Sequence, residues 1–148
     1  MSMSDTRPPL GGLPEGGQVR RLALVGTKGV VGRCRDFTRQ ALHDWQWLPG
    51  VTEEQQEVAE DVLLLVSELV TNANLHAGGA TELLLHGTKA RLRVEVSDES
   101  RQLPVPRTPY QASRPGGHGL HIIARLSTTW GSRPSPTGKS VWVEVATP

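Results

Sequence analysis

Three polar side chains, Glu68, Asn72 and His76, stand at intervals of four residues inside an otherwise apolar segment of the sequence. At about 100° per residue, Glu68 and Asn72 lie only about 40° apart around a helix, and His76 lies about 80° from Glu68. All three are therefore predicted along one edge of a helix. Buried polar groups without partners are unfavourable, and a bound ligand would supply partners.

The residue types at this edge are suited to metal-assisted chemistry. A carboxamide oxygen such as that of Asn72 is a suitable neutral ligand for Mg²⁺, a cation that is often shared with substrate phosphates. A carboxylate one turn away, at Glu68, could orient or deprotonate an attacking hydroxyl. The alternative is a Glu–Asn pair on a water-exposed helix surface, which the neighbouring Leu65 and Leu69 disfavour.

Two further features could contribute to a ligand site. Asp98 ends a strand with alternating apolar residues, where its carboxylate could accept a hydrogen bond from an exocyclic amine or simply form a turn. Gly117 and Gly119 flank His118 at the start of a predicted helix. Glycines allow close approach of the backbone to a phosphate, and a helix N-terminus favours anions, although such a cluster can also be a plain turn. The spacing fits neither a Rossmann nor a Walker motif, and the histidines lack a zinc-ligand spacing.

Composition excludes several classes of protein. The chain has 148 residues, long enough for one domain with a core, and a net charge of +1, which gives no electrostatic basis for binding nucleic acid or an anionic membrane. The single cysteine, Cys34, precludes an internal disulfide framework and fits a reducing compartment. No apolar run approaches the roughly 20 residues of a membrane span, and no signal peptide is evident. We expect a cytoplasmic location.

The periodicity of apolar residues predicts an α+β fold. Residues 1–17 are rich in proline and glycine and are expected to form a flexible tail, and residues 18–148 the domain. Helices are predicted over residues 30–48, from a capping box at Thr52 to about His76, and after the glycines at 116–119. Strands are predicted over residues 19–25, 81–87, 90–97, 128–132 and 140–146. This order indicates a two-layer sandwich, with helices on one face of a mixed, mainly antiparallel sheet. The segment 101–115 between them has the composition of a functional lid.

These motifs, in this order, resemble the GHKL (Bergerat-fold) ATP-binding superfamily, and most closely its small bacterial anti-sigma factor serine kinases. The resemblance spans about residues 19–145. The matching segments are Val66-Ser67-Glu68-Leu69-Val70-Thr71-Asn72-Ala73 with His76-Ala77, Val96-Ser97-Asp98, Gly117-His118-Gly119-Leu120, Trp130-Gly131 and Gly138-Lys139-Ser140-Val141-Trp142.

The resemblance implies ATP and Mg²⁺ as ligands, with Glu68 as the general base. It implies that Asn72 binds the Mg²⁺ that bridges the ATP phosphates, and that Asp98 accepts a hydrogen bond from the adenine amino group. The implied partners are an anti-anti-sigma factor, which would be phosphorylated on serine, and a sigma factor. Relatives in this group often form homodimers.

The same resemblance assigns the remaining pocket residues. Gly117 and Gly119 would line the phosphate-side lid, and Ser140 would help to close the adenine pocket. His76, His118 and Leu120 belong to the same nucleotide-binding motifs.

Two departures from the family pattern bear on function. The usual Asp-x-Gly-x-Gly is here Asp98-Glu99-Ser100-Arg101-Gln102, without either glycine, and His118 stands where relatives often carry arginine. The missing glycines favour the alternative that the chain is a non-catalytic nucleotide-binding module that regulates by sequestering a partner. A bare ATPase and a histidine kinase are less well supported, because neither a second domain nor a phospho-acceptor helical hairpin accompanies the motifs.

Overall fold

The computed structural model describes residues 13–76, 78–100 and 117–148. Most of the predicted tail and the whole predicted lid at 101–115 lie outside the described residues. Within them, three helices and five strands form one α+β unit, which confirms the predicted fold class. None of the described helices is both long and apolar enough to cross a membrane.

The helices form one layer. Helix α1 comprises Val30–Asp44, α2 comprises Glu53–His76 and α3 comprises Gly117–Leu126. The central helix α2 packs against both other helices and against the sheet. Its start has the predicted capping box. The backbone N–H of Gln55 donates to Thr52 Oγ1 at 3.1 Å, and the backbone N–H of Thr52 donates to Gln55 Oε1 at 3.3 Å.

The sheet has five strands in the order β1-β2-β3-β5-β4, and every pairing among the described strands is antiparallel. The strands are β1 (Gln18–Ala23), β2 (Ala80–Gly87), β3 (Arg91–Asp98), β4 (Thr129–Ser135) and β5 (Gly138–Ala146). The core lies between the sheet and the helices, where β3 contributes Leu92, Val94 and Val96 on one face. The antiparallel sheet with helices packed on it agrees with the prediction.

The boundaries differ from the predicted ones mainly in the C-terminal hairpin. The predicted turn at 134–138 is wrong, since Pro134 still pairs with Lys139 and β5 begins two residues earlier than predicted. Pro134 is tolerated because β4 is an edge strand, where a missing backbone N–H leaves no ladder hydrogen bond unmade. The longer β5 places Lys139 opposite Asp98 of β3.

Helix α1 ends earlier than the predicted residue 48. The backbone N–H of Gln46 donates to the His43 carbonyl at 3.1 Å, and the backbone N–H of Trp47 donates to the Leu42 carbonyl at 2.8 Å. This is the Schellman pattern, and it requires a left-handed residue after the helix, which is Gln46 with φ of 64°.

Cys34, on the same helix, is buried, and this burial raises the pKa of its thiol to about 11, so the thiol is protonated at neutral pH.

Replacing Gln46 by glycine tests the termination of α1. Glycine adopts the left-handed conformation without steric cost, so Gln46→Gly is expected to raise the free energy of unfolding by about 0.5–1 kcal/mol. Urea denaturation followed by circular dichroism measures the change. Gln46→Ala, which keeps the Cβ, is the control and should bring no gain; equal stabilisation by both variants would contradict this account.

Candidate nucleotide-binding site

One edge of α2 carries the polar residues singled out from the sequence. Glu68 and Asn72 lie one turn apart, and both are half-buried rather than exposed. The helix turns between them bury apolar residues such as Leu69 and Val70 against the core. The predicted alignment of Glu68 with Asn72 along one helix edge therefore holds in the structure.

Asn72 is the most unusual polar residue of this edge. Both its Oδ1 and its Nδ2 are inaccessible to solvent, and neither atom has a hydrogen-bond partner within the described part of the chain. A buried polar group without a partner costs about 1–3 kcal/mol. Native proteins rarely leave such groups unpaired, so the amide points to a ligand that completes it. An exposed surface pair, the alternative considered from the sequence, does not describe this side chain.

Glu68 makes no hydrogen bond or ion pair with any of the side chains that the structure describes. Two turns earlier on the same edge, burial raises the pKa of Asp61, with Glu57 and Glu60 adding to the rise and Arg125 of α3 opposing it. The influence of Arg125 fits the packing of α3 against α2. This edge of α2 therefore carries two half-buried carboxylates, Asp61 and Glu68.

Asp98 lies at the same end of the molecule as the last turns of α2. Ala80 follows α2 after a short connection and pairs with Asp98 across β2 and β3. The Asp98 carboxylate is buried, and its Oδ1 accepts the Ser100 amide at 2.8 Å, as a turn-forming aspartate does. The two interpretations of Asp98 are compatible, because this bond uses only one carboxylate oxygen.

Lys139 lies within a segment that matches the family motifs, but the sequence indicated no role for its side chain. Its ammonium lies 3.1 Å from Asp98 Oδ1, and the two side chains are 6% and 2% exposed. Both occupy the helix-facing side of the sheet, where the register places Lys139 opposite Asp98. Sequence periodicity offered no signal for this contact, because it depends on the pairing of strands 41 residues apart.

Ser140 is not brought together with Asp98. Successive residues of a strand point to opposite faces, so Ser140 lies on the outer face of the sheet, opposite Ser97. The two hydroxyl oxygens are 3.0 Å apart and form a hydrogen bond. The strand β5 thus offers Lys139, rather than the side chain of Ser140, to the inner side of the sheet.

The glycine segment opens α3 as expected. The helix begins at Gly117, so Gly117 and Gly119 both lie in its first turn. Ile123, further along α3, is buried in the core and anchors the helix. The pocket roles implied for the side chains of His76, His118 and Leu120 lie outside the described part of the structure.

The residues present fit a nucleotide with its magnesium ion better than a protein-only metal cage. Among the described residues, no group of three histidine, cysteine or acidic side chains could hold a metal ion. A magnesium ion shared with phosphates needs few protein ligands, and the unpartnered Asn72 Oδ1 is an oxygen donor of the required kind. Glu68 beside it adds a carboxylate that no described residue neutralises.

Replacing Asn72 by leucine tests whether its amide is orphaned in the ligand-free protein. Leucine has a similar volume and no polar atoms, so Asn72→Leu is expected to raise the free energy of unfolding by about 1–3 kcal/mol. Chemical denaturation without nucleotide measures the difference. The control is Gln56→Leu on the exposed start of the same helix, which should change stability by less than about 0.5 kcal/mol. Destabilisation by Asn72→Leu would mean that the amide already has a partner.

Comparison with protein families agrees with this geometry. The family model described as the histidine kinase-like ATPase domain matches residues 32–145, more than three quarters of the chain, from the first turn of α1 to the end of β5. Comparison with curated proteins gives no match. The matched region includes Glu68, Asn72, Asp98 and the start of α3. The chain belongs to the histidine kinase-like ATPase family and is an ATPase domain of the GHKL type.

Proposed function

We propose that this protein is an ATP- and Mg²⁺-dependent regulatory serine kinase that phosphorylates an anti-anti-sigma partner and also binds a sigma factor. The observation that carries the proposal is the buried, unpartnered amide of Asn72 one turn from the half-buried carboxylate of Glu68. Membership in the ATPase family supports nucleotide binding. The likeness of the motifs to anti-sigma factor kinases supports the choice of a serine acceptor.

Each residue has a distinct role in this proposal. Asn72 provides an oxygen ligand to Mg²⁺, and Asp98 accepts a hydrogen bond from the adenine amino group. The backbone at Gly117 and Gly119, in the first turn of α3, faces the phosphates, because a helix N-terminus and glycine both favour close approach of an anion. Bound Mg²⁺ would supply neutralisation of phosphate charge.

Glu68 acts on the acceptor in the proposed reaction. The serine hydroxyl oxygen forms a bond to the γ-phosphorus, and the bond from that phosphorus to the bridging oxygen breaks. ADP leaves with the electron pair of the broken bond. The hydroxyl proton passes to the Glu68 carboxylate. This transfer requires a carboxylate that is not in an ion pair and that lies within reach of the acceptor hydroxyl. Half-burial without an ion pair to any described residue supports this role.

The extent of the domain and its partners belong to the same proposal. Residues 18–148 form the ATP-binding domain and residues 1–17 a tail. His76, His118 and Leu120 contribute to the nucleotide pocket. The protein partners bind directly, and two copies of the chain associate as a homodimer, as the resemblance to anti-sigma factor kinases suggests.

Substitution of Glu68 separates chemistry from binding. Glu68→Ala is expected to retain ATP affinity within about threefold while phosphorylation of the partner falls by at least about 100-fold, since general base catalysis typically contributes 10²–10⁴. Transfer of label from γ-labelled ATP to serine measures the rate. Glu57→Ala, an exposed acid on the same helix, is the matched control and should keep wild-type activity. Undiminished transfer by Glu68→Ala would show that another group is the base.

Substitution of Asn72 tests the metal-dependent part of the site. Isothermal titration with ATP, with and without Mg²⁺, is expected to give tighter binding with the metal for the wild type. Asn72→Ala should lose most of that metal-dependent gain, because the substitution removes an oxygen ligand. Equal gains in the two proteins would remove Asn72 from the metal site.

The second candidate function is a non-catalytic module that binds nucleotide and sequesters its partner. The residues after Asp98 favour it, because Glu99 and Ser100 begin a segment without the family's two glycines. Incubation with labelled ATP and cognate partners distinguishes the two functions. Phosphoserine on a partner identifies a kinase, whereas ATP-dependent complex formation without phosphoserine identifies a sequestering module.

A further inference from the structure

The ion pair between Lys139 and Asp98 is the most deeply buried one among the described residues. Lys139 Nζ lies 3.1 Å from Asp98 Oδ1, and the side chains are only 6% and 2% exposed. The other described ion pairs each include at least one side chain that is more than 10% exposed. A buried lysine is costly unless it is paired, so this pair is a specific feature of the end of the sheet.

The backbone holds the two residues at a fixed separation. Asp98 and Lys139 are direct partners in the antiparallel register of β3 and β5. Gly138, which precedes Lys139, sits so close that an added Cβ would overlap the carbonyl oxygen of Asp98. Close packing at Gly138 therefore brings the ends of both strands together and directs Lys139 onto the Asp98 carboxylate.

The donors around Asp98 are distributed unevenly over its two oxygens. Oδ1 accepts both the Lys139 ammonium and the Ser100 amide, at 3.1 and 2.8 Å. Oδ2 has no partner among the residues that the structure describes. A carboxylate has about four acceptor positions, so one oxygen is held by the protein while the other can accept from a ligand.

The charge state of such a carboxylate decides which ligand it accepts. An ionised carboxylate only accepts hydrogen bonds, so it pairs with an exocyclic amine and is repelled by a carbonyl oxygen. A protonated carboxyl can donate to that carbonyl oxygen. In its ion pair with Lys139, Asp98 is an acceptor: the ammonium occupies Oδ1 at 3.1 Å and leaves Oδ2 as the oxygen that meets a ligand.

We propose that Lys139 is a specificity-determining residue, which pairs with Asp98 and thereby makes the site select 6-amino purines over 6-oxo purines. The inference rests on the proposed nucleotide site and assigns a role to Lys139, for which the resemblance implied none. Lys139 acts through Asp98, so it is a positioning residue. Its loss changes which base is bound, in addition to how tightly.

The test compares ATP with inosine triphosphate, which carries a 6-oxo group in place of the 6-amino group. The readout is the ratio of the Kd for inosine triphosphate to the Kd for ATP, both measured with Mg²⁺ by titration calorimetry. The wild type is expected to give a ratio of at least about 100, because a site built around a hydrogen bond strongly rejects the analogue that lacks it. Lys139→Met should lower this ratio to below about 10.

Controls separate specificity from folding. Lys89→Met removes an exposed lysine from the turn at the other end of the sheet and should keep the wild-type ratio. Lys139→Gln can still donate a hydrogen bond to Asp98 but carries no charge, so it should also lower the ratio and provides a variant if Lys139→Met does not fold. The ratio is independent of a uniform loss of affinity, which a purely structural role would produce.

The outcomes distinguish this inference from the function on which it rests. A wild-type ratio in a folded Lys139 variant would overturn the role of Lys139 and leave ATP binding intact. Failure of the wild-type protein to bind ATP would overturn the proposed function, and the specificity role would fall with it. A collapsed ratio in both Lys139 variants, with the ratio of Lys89→Met unchanged, would support the inference.

Discussion

Packing of α2 against the inner face of the sheet determines where every candidate functional group lies. The helix buries a continuous apolar face against β2, β3 and β5. Its large buried side chains are Val62, Leu63, Leu65, Val66, Leu69 and Val70. Burial of each such side chain contributes about 1.5–3 kcal/mol. This sum far exceeds the cost of about 1–3 kcal/mol for an orphaned polar group, so the fold can hold Asn72 in an unfavourable environment.

The two faces of the sheet differ in how completely their charged and polar groups are paired. On the outer face, Arg93 lies 4.3 Å from the ring centre of Trp142 and pairs with Glu95 and Glu144, and Glu95 is also bound by Arg133 at 2.8 Å. Charges there are neutralised by neighbours within the protein. On the inner side, the amide of Asn72 has no partner within the described residues. Only Oδ1 of Asp98 accepts hydrogen bonds there, from the Lys139 ammonium and from the backbone N–H of Ser100. Among the described residues, Thr147 Oγ1 is the other buried side-chain atom without a partner, and Asn72 is the one in which both polar atoms lack one.

Local patterns predicted the elements well where a single element carries the signal. The capping box at Thr52, the amphipathic spacing along α2 and the alternation of Leu92, Val94 and Val96 each depend on neighbours a few residues apart. The ends of elements were less predictable. Gln46 ends α1 in a left-handed conformation that favours glycine, and Pro134 remains inside an edge strand, so neither residue type indicated its structural role.

The amino-acid order was sufficient to place Glu68 and Asn72 on one helix edge, because residues four apart on a helix are neighbours whatever surrounds them. It was also sufficient to identify the GHKL motifs. Burial of the Asn72 amide depended on how α2 packs, and the contact between Asp98 and Lys139 depended on the register of β3 and β5. A shift of one residue in that register would turn Lys139 to the outer face and bring Ser140 to the inner one. Side-chain partners across a sheet are set by the pairing of distant strands, so only the folded chain decides them.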